Sequence, residues 1–373
     1  MSSDRGRDRD PGRDGDRDRG RDGDRDGDRG HGRDEDRDRR RDGDRDRGRD
    51  GDRGHDRDRD RGRDGDRGHD RDRDRGREPL RSLLFVPGGK TGWLAKAEAA
   101  GADAAILDLE DAVPAGAKEA ARKAVAEAVE RAARAPGPMR LFVRINPLDR
   151  GAGWAGAEDL RAVAGPGLYG VVLPKVDHAD DVRVADRLLA WCEREAGLPE
   201  GRIALVPLLE TARGLREAYD IGRAAGRVAH LGALTAPGGD VERAVGYRWS
   251  PGGEETHHLR ARVLLDARAA GSPHPVAGLW ADVADLTGLR TFAERNRALG
   301  YEGMAVIHPS HVPVVNEVFS PDAGELARCE RLVAAVEAAQ ARGEGAVLFE
   351  GRMVDEAMAA TARRALARRA RRP

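Results

Sequence analysis

Eight short apolar runs, each followed by a segment of helical spacing, set the frame for this chain. They are "SLLFVPG" (82–88), "AAILDLED" (104–111), "RLFVRIN" (140–146), "GVVLPKV" (170–176), "IALVPLLE" (203–210), "VAHLGAL" (228–234), "PVAGLWADV" (275–283) and "GMAVIHP" (303–309). The segments between them, such as "AGAKEAARKAVAEAVERAARA" and "HADDVRVADRLLAWCEREAG", are rich in Ala, Glu and Arg with apolar residues three and four apart. The runs are continuous rather than alternating, which is the pattern of strands covered on both faces. Eight βα units in about 235 residues fit a (β/α)8 TIM barrel, an α/β fold whose catalytic groups sit at the C-terminal ends of the strands. A doubly wound open sheet is the competing arrangement. No G-x-G-x-x-G follows the first run, which weighs against a dinucleotide-binding version of it.

The flanks differ from this middle. Residues 1–77 are nearly all Arg, Asp and Gly in loose "RDRDGDRG" repeats, too poor in apolar groups to offset the entropy of ordering, so a disordered low-complexity tail is expected. Its charges alternate and nearly cancel. A nucleic-acid-binding arm is net basic, so nucleic acid is not an expected partner. The whole-chain values, 36% charged residues and a net charge of −1, are dominated by this tail and say little of the rest. Residues 78–315 read as the barrel. Residues 316–373 exceed what a barrel needs and read as a C-terminal subdomain: a helix over "ELARCERLVAAVEAAQARG", an extended "GAVLFEGRMVD" and a basic final helix.

The two cysteines, Cys192 and Cys329, give neither a disulfide framework nor metal-ligand spacing, and a reducing cytoplasm follows as the expected location. No apolar stretch approaches the roughly 20 residues that span a bilayer, and no membrane partner is expected.

The polar residues at the strand ends carry the chemistry. The second run ends in Asp108, Glu110 and Asp111, the third carries Arg144 and Asn146, the fourth Lys175, and the fifth ends in Glu210. Asp240 follows Gly-Gly in the loop after the sixth run, and His308 ends the eighth. In a barrel these converge on one mouth. Carboxylates with an Arg and a Lys in one cleft suggest a hard divalent cation, Mg2+ or Mn2+, and an anionic substrate. Plain alternatives stand beside each assignment. Glu210 could cap the next helix, Asp240 could serve a turn, Lys175 could merely pair with an acid, and His308 could be a strand-end hydrogen bonder. Trp154, Trp249 and Trp280 fit core or pocket wall. Arg144 within "FVRIN" is the least easily explained away, because an Arg in a buried strand needs an anionic partner.

In order and spacing, "RSLLFVPG", "GADAAILDLEDAV", "RLFVRINP", "GVVLPKV", "VPLLETARGL" and "IHPSHVPVVNEVFSP" resemble the HpcH/HpaI aldolase and citrate lyase β-subunit-like (CitE-like) family, from Arg81 to about Asp355. The resemblance implies a (β/α)8 barrel, a homotrimer or higher homo-oligomer, and Mg2+-dependent making or breaking of a C–C bond beside a CoA thioester or 2-oxo acid. It implies that Glu210 and Asp240 bind the metal, and that Arg144 holds the substrate's carboxylate or carbonyl oxygens. Asp108, Glu110 and Asp111 match the second-strand acid cluster, with Asp108 counted among the catalytic residues and Glu110, Asp111 and Lys175 among those facing substrate. Asp355 in "GRMVDEAM" matches an aspartate that acyl-CoA lyases supply to a neighbouring subunit. Arg81 and Lys90 are candidates for the CoA phosphates.

Three departures touch this pattern: the insertion "LGALTAPGGD" with Gly239 beside Asp240, the stretch "YRWSPGGEETHH", and Met304 where the family often has Lys. They leave the acyl group open. The implied activity is an acyl-CoA lyase acting on malyl-, citramalyl- or citryl-CoA. A 2-oxo-acid aldolase, a malyl-CoA thioesterase and a non-catalytic interaction protein using the charged tail are the alternatives.

Overall fold

The computed structural model describes residues 78–148 and 154–370. The expectation for residues 1–77 lies outside them.

Seven of the apolar runs form one parallel sheet: β1 (Ser82–Pro87), β2 (Ala104–Asp108), β3 (Arg140–Arg144), β4 (Gly170–Leu173), β5 (Ala204–Pro207), β6 (Val276–Ala277) and β7 (Gly303–Val306), in the spatial order β5-β4-β3-β2-β1-β7-β6. Apart from β5 and β6, which stand at the two edges, neighbours in the chain are neighbours in space, and β7 returns to lie beside β1. That cyclic order is consistent with a TIM-barrel-like fold and differs from a doubly wound sheet. The continuous apolar runs find their reason here. Leu83, Ile106, Phe142, Val172, Val206 and Ala305 pack together on one face. Leu84, Leu107, Val143, Val171, Leu205 and Val306 pack against helices on the other.

The sixth run, 228–234, does not form a strand. It touches β5 and the residue that follows it through two isolated parallel bridges, Leu205 to Val228 and Leu208 to Gly232. The physical reason lies at its centre, where His230 takes a left-handed φ of 55° that interrupts the extended backbone. The segment also runs close to β6. A Cβ at Gly232 would sit 1.8 Å from the Val276 carbonyl oxygen, so only glycine fits. The expected strand 275–283 shortens to Val276–Ala277.

Helices follow the strands: α1 (Leu94–Ala99), α2 (Lys118–Arg134), α3 (Ala155–Val163), α4 (Ala179–Glu195), α5 (Ala212–Arg216), α6 (Ala218–Arg223), α7 (Asp240–Val245), α8 (His257–Ala269), α9 (Leu286–Leu299) and α10 (His311–Val318). In α2, Ala121, Val125, Ala128 and Val129 are buried, the three-and-four spacing of a helix with one face on a core. Helix α10 crosses the expected boundary at residue 315. Asn316 accepts from the Ser82 hydroxyl and donates to the Gly101 carbonyl, which ties residue 316 to the sheet.

The C-terminal unit begins at α11 (Ala323–Ala341), capped by the Asp322 side chain. A hairpin follows, β8 (Ala346–Phe349) paired antiparallel with β9 (Arg352–Asp355), and then α12 (Glu356–Ala370). Its turn residues Glu350 and Gly351 both have positive φ, as tight hairpin turns favour. Leu332, Val336, Val354, Ala359 and Ala362 give this unit an apolar cluster of its own.

Candidate functional site

The second and third strands present their polar ends to each other. Asp108 follows Ala104 and Ile106 on the face that packs with Phe142, and Arg144 follows Phe142 on β3. The two residues are register partners. Arg144 donates from Nε to Asp108 Oδ1 at 2.7 Å and from Nη2 to Oδ2 at 2.6 Å, a bidentate pair. Its Nη1 lies 2.9 Å from Glu110 Oε2 and 3.6 Å from Asp111 Oδ2, and its plane lies over the Phe85 ring. Two of the five guanidinium N–H groups are hydrogen-bonded to Asp108 and Nη1 faces Glu110 and Asp111, so the second Nη2 N–H is the one without an anion beside it in these contacts. Burial works against the charge, but Asp108, Glu110 and Glu210 outweigh it and hold the guanidinium above its ordinary pKa.

Asp108 also shapes its own loop by accepting the amides of Glu110 (2.9 Å) and Ala112 (3.1 Å). Lys175 has a left-handed φ of 48°, which lets one residue reach two acid groups. Its amide donates to Glu210 Oε1 at 2.8 Å. Its ammonium is paired with Glu110 and lies 3.3 Å from Asp111.

Glu210 is 6% exposed. Burial, reinforced by the charges of Glu110 and Asp240, pushes its pKa up to about 7, against the lowering effect of the Lys175 amide and Arg144. It does not cap the following helix. Thr211 does, accepting the Gly214 amide at 2.9 Å. Asp240 opens α7, where its side chain pairs with Arg243, and the helix ends after Val245 because Gly246 takes φ 85°. Burial also raises the Glu110 pKa, despite Arg144 and Lys175 beside it.

Carboxylates thus outnumber the cations interspersed with them. Asp108, Glu110, Asp111, Glu210 and Asp240 face Arg144, Lys175 and Arg243, with Lys118 behind the acid loop, which leaves one negative charge in surplus. An all-oxygen donor set with surplus negative charge fits a hard divalent cation. Mg2+ commonly takes one or two protein carboxylates and completes its octahedron with water and substrate. Among the described residues, no three His, Cys, Asp or Glu converge as a full protein cage.

Arg81 is not at the mouth. It precedes β1 at the opposite, N-terminal edge of the sheet, where its side chain grips Asp103 (2.6 and 2.9 Å) and Ser320. The reason is positional: a residue before a parallel strand lies at the end away from the C-terminal loops. Lys90 is exposed in the 3-10 segment Gly88–Trp93 that follows β1. Asp355 stands in the C-terminal hairpin, exposed, accepting the Met358 amide at the start of α12. His308 bonds Ser310 through Nδ1, a strand-end role. Trp249 and Trp280 pack on Phe292, while Trp154 is exposed at the start of α3. Met304 is fully buried between sheet and helices, so that departure is a core substitution rather than a change in the pocket. The "YRWSPGGEETHH" stretch is anchored by buried Arg260, which donates to Thr256, Asn296 and the Gly253 carbonyl.

Two supports were not foreseen. Asn146, at the end of the third run, is held through its amide N–H and Nδ2 by buried Asp159, itself paired with Arg122. Lys118 donates to the carbonyls of Leu109 and Glu110. A signal for Lys118 was available in the sequence: it opens a helix, the end where the helix dipole disfavours a cation.

Residues 81–309 match the sequence model of "HpcH/HpaI aldolase/citrate lyase". The chain belongs to the HpcH/HpaI aldolase/citrate lyase family. Within it, the chain is 38% identical to a citrate lyase subunit beta-like protein of Deinococcus radiodurans, covering 78% of this chain and 98% of that one. It is 33% identical to an L-malyl-CoA/beta-methylmalyl-CoA lyase of Cereibacter sphaeroides, covering 74% and 90%. Among solved structures it is similar to CitE of Mycobacterium tuberculosis in complex with magnesium, acetoacetate and coenzyme A, with a TM-score of 0.60, 32% identity and coverage of 79% and 98%.

Proposed function

We propose that the strand-end group is the site of a Mg2+-dependent carbon–carbon lyase that cleaves or forms a 3-hydroxy-acyl-CoA such as malyl-, citramalyl- or citryl-CoA. The products of cleavage are a 2-oxo acid and acetyl-CoA. The observation that carries this reading is Glu210, a buried carboxylate at a strand end with Asp240 and Glu110 acting on it and Arg144 beside it. The named activities of the relatives and the ligands of CitE support the same chemistry. The barrel on which it sits is closed, in this reading, by segment 228–234 lying between β5 and β6.

Glu210 and Asp240 would hold the Mg2+ ion, which when bound supplies Lewis-acid stabilisation of negative charge on oxygen. Arg144 binds the carboxylate of the 2-oxo-acid end with its second Nη2 N–H, while Asp108 keeps the guanidinium from swinging away. Lys175 restrains Glu110 and Asp111 at the rim and faces the substrate. In cleavage the hydroxyl proton passes to a water molecule in the open site, the bond between the carbinol carbon and the thioester α-carbon breaks as the carbinol oxygen becomes a carbonyl, and the electron pair of the broken bond passes to the α-carbon. That carbon then takes a proton from an acid. Asp355 of a neighbouring subunit is the acid in this reading, which requires a homo-oligomer such as a trimer working in the cytoplasm. Lys90 remains the candidate for the CoA phosphates.

The test is turnover of malyl-, citramalyl- and citryl-CoA with and without Mg2+, monitoring 2-oxo acid and free thiol together. Release of acetyl-CoA with a 2-oxo acid supports the lyase. Free CoA without a 2-oxo acid would replace it with a thioesterase. No Mg2+-dependent turnover of any of the three would overturn it.

A further inference from the structure

We propose that Lys118 is a positioning residue for the strand-end site, fixing the loop that carries Glu110 and Asp111. This inference rests on the lyase reading for its catalytic consequence. Lys118 is the first residue of α2, where the exposed N–H groups give the helix its positive end. A cation placed there needs compensation. The compensation is the main chain of the acid loop: Nζ donates to Leu109 O at 2.7 Å and to Glu110 O at 2.6 Å. Burial lowers its pKa, countered by Asp108 and Glu110.

The loop is therefore held from two sides. Asp108 takes its amides, and Lys118 takes its carbonyls. Asp108 holds only the amide side, with each of its two oxygens shared between one loop amide and one arm of the Arg144 fork. A loop released on the Lys118 side would let the Glu110 carboxylate leave Arg144 Nη1, 2.9 Å away, and would loosen Lys175 with it. One turn along α2, Arg122 serves the third strand in the same manner. It holds Asp159 at 2.6 Å, and Asp159 holds the Asn146 amide groups at 2.8 and 2.7 Å. The helix thus supports adjacent strand ends, one through carbonyls and one through a carboxylate.

The experiment compares Lys118→Met, Lys118→Gln and Lys118→Arg in the full chain, with exposed Glu119→Gln as control. Hydrogen exchange of the Glu110 and Ala112 amides reads the brace without ligand or turnover. Binding of oxalate with Mg2+ and the kcat and KM of acyl-CoA cleavage read its consequence. In Lys118→Met, exchange at these two amides is expected to accelerate at least tenfold while the middle of α2 keeps its protection. Oxalate affinity and kcat should fall about tenfold or more, with KM for the CoA substrate moving less than threefold. Arg, which can still reach both carbonyls, should restore most of the loss, and Gln, with fewer donors, less of it. Unchanged exchange in Lys118→Met would overturn the proposal, as would loss of cooperative folding in both the Met and Gln variants, which would assign the residue to global stability. An enzyme whose wild type cleaves none of the three acyl-CoA substrates, yet shows the exchange effect, would sink the lyase reading and leave the brace standing.

Discussion

Glu210→Gln should make the metal-free protein more stable at pH 8 while removing its Mg2+ response. The wild-type carboxyl titrates at about 7 rather than at an ordinary 4.5, chiefly because it is buried. At about 1.4 kcal/mol per pKa step, the charged form is disfavoured in the fold by about 3 kcal/mol. The sign follows from linkage. A carboxyl with a raised folded pKa contributes fully below the unfolded value, and that contribution is lost as pH rises through the folded value. Metal-free wild type should therefore lose about 3 kcal/mol of stability from this group between pH 4.5 and 8. Glutamine cannot ionise, and its carbonyl can still accept the Lys175 amide, so the variant should lack that loss. Urea unfolding in chelator at pH 5 and pH 8 gives the measurement as a double difference, which cancels the titration of other groups. Adding Mg2+ at pH 8 should then stabilise wild type and leave Glu210→Gln unmoved. Equal pH dependence in the two proteins would refute the claim that the site holds a frustrated carboxylate. Equal Mg2+ stabilisation would remove Glu210 from the metal.

Asp240→Asn should likewise abolish Mg2+-dependent turnover with the fold intact, and near-normal turnover at saturating metal would exclude Asp240. His230→Gln should flatten the acid side of the stability curve. Burial and neighbouring His274 lower the His230 pKa from 6.5 to about 4, so the unfolded chain alone takes up a proton as pH falls between those values, and wild type should lose about 3 kcal/mol there that the variant keeps. Removing residues 1–77 should leave melting temperature and turnover unchanged, since their composition cannot build a core; a large loss of either would contradict this. Asp355→Ala and Arg144→Ala, each inactive alone, should regain part of the activity when co-refolded into mixed oligomers; no recovery despite proven mixing would remove Asp355 from a neighbour's site.

The sheet was legible because burial on both faces writes itself directly into sequence. Runs such as "AAILD" and "GVVL" have no wet position, and they became β2 and β4. The run at 228–234 has the same apolar character but hides a backbone fact. Its His230 is left-handed, and no side-chain pattern announces the φ of a histidine. Its neighbour Gly232 carried a hint, since a glycine within an apolar run marks a close backbone approach, here to Val276. The shortening of the run at 275–283 is tertiary as well, because among the described residues its one strand partner is β7, through two residue pairs.

The site was legible where charge contradicted burial and illegible where charge obeyed its surroundings. Arg144 stood out because a guanidinium inside an apolar strand has to be answered, and Asp108, its register partner, answers it. Glu210 stood out for the same reason, although its answer is incomplete: one amide from Lys175 and a guanidinium shared with three nearer acids. Arg81 misled because sequence proximity to the first strand does not say which end of it a residue occupies. Five residues of β1 separate it from Pro87, and at about 3.3 Å per residue the strand carries it to the far edge. Lys118 was passed over because one lysine in an Ala- and Glu-rich helix looks like solvated surface. Its position was the anomaly, a cation at the positive end of α2, and the acid loop of β2 is what makes that position tenable. The same reasoning extends to Glu110. Burial raises its pKa despite the opposing charges of Arg144 and Lys175. A divalent ion at Glu210 and Asp240 would favour the ionised form of Glu210, whose pKa is about 7, so its binding should release protons near neutral pH and should strengthen as pH rises. Calorimetry of Mg2+ binding at pH 6 and pH 8, in buffers of different ionisation enthalpy, measures that release directly. Affinity and proton count independent of pH would place the ion elsewhere.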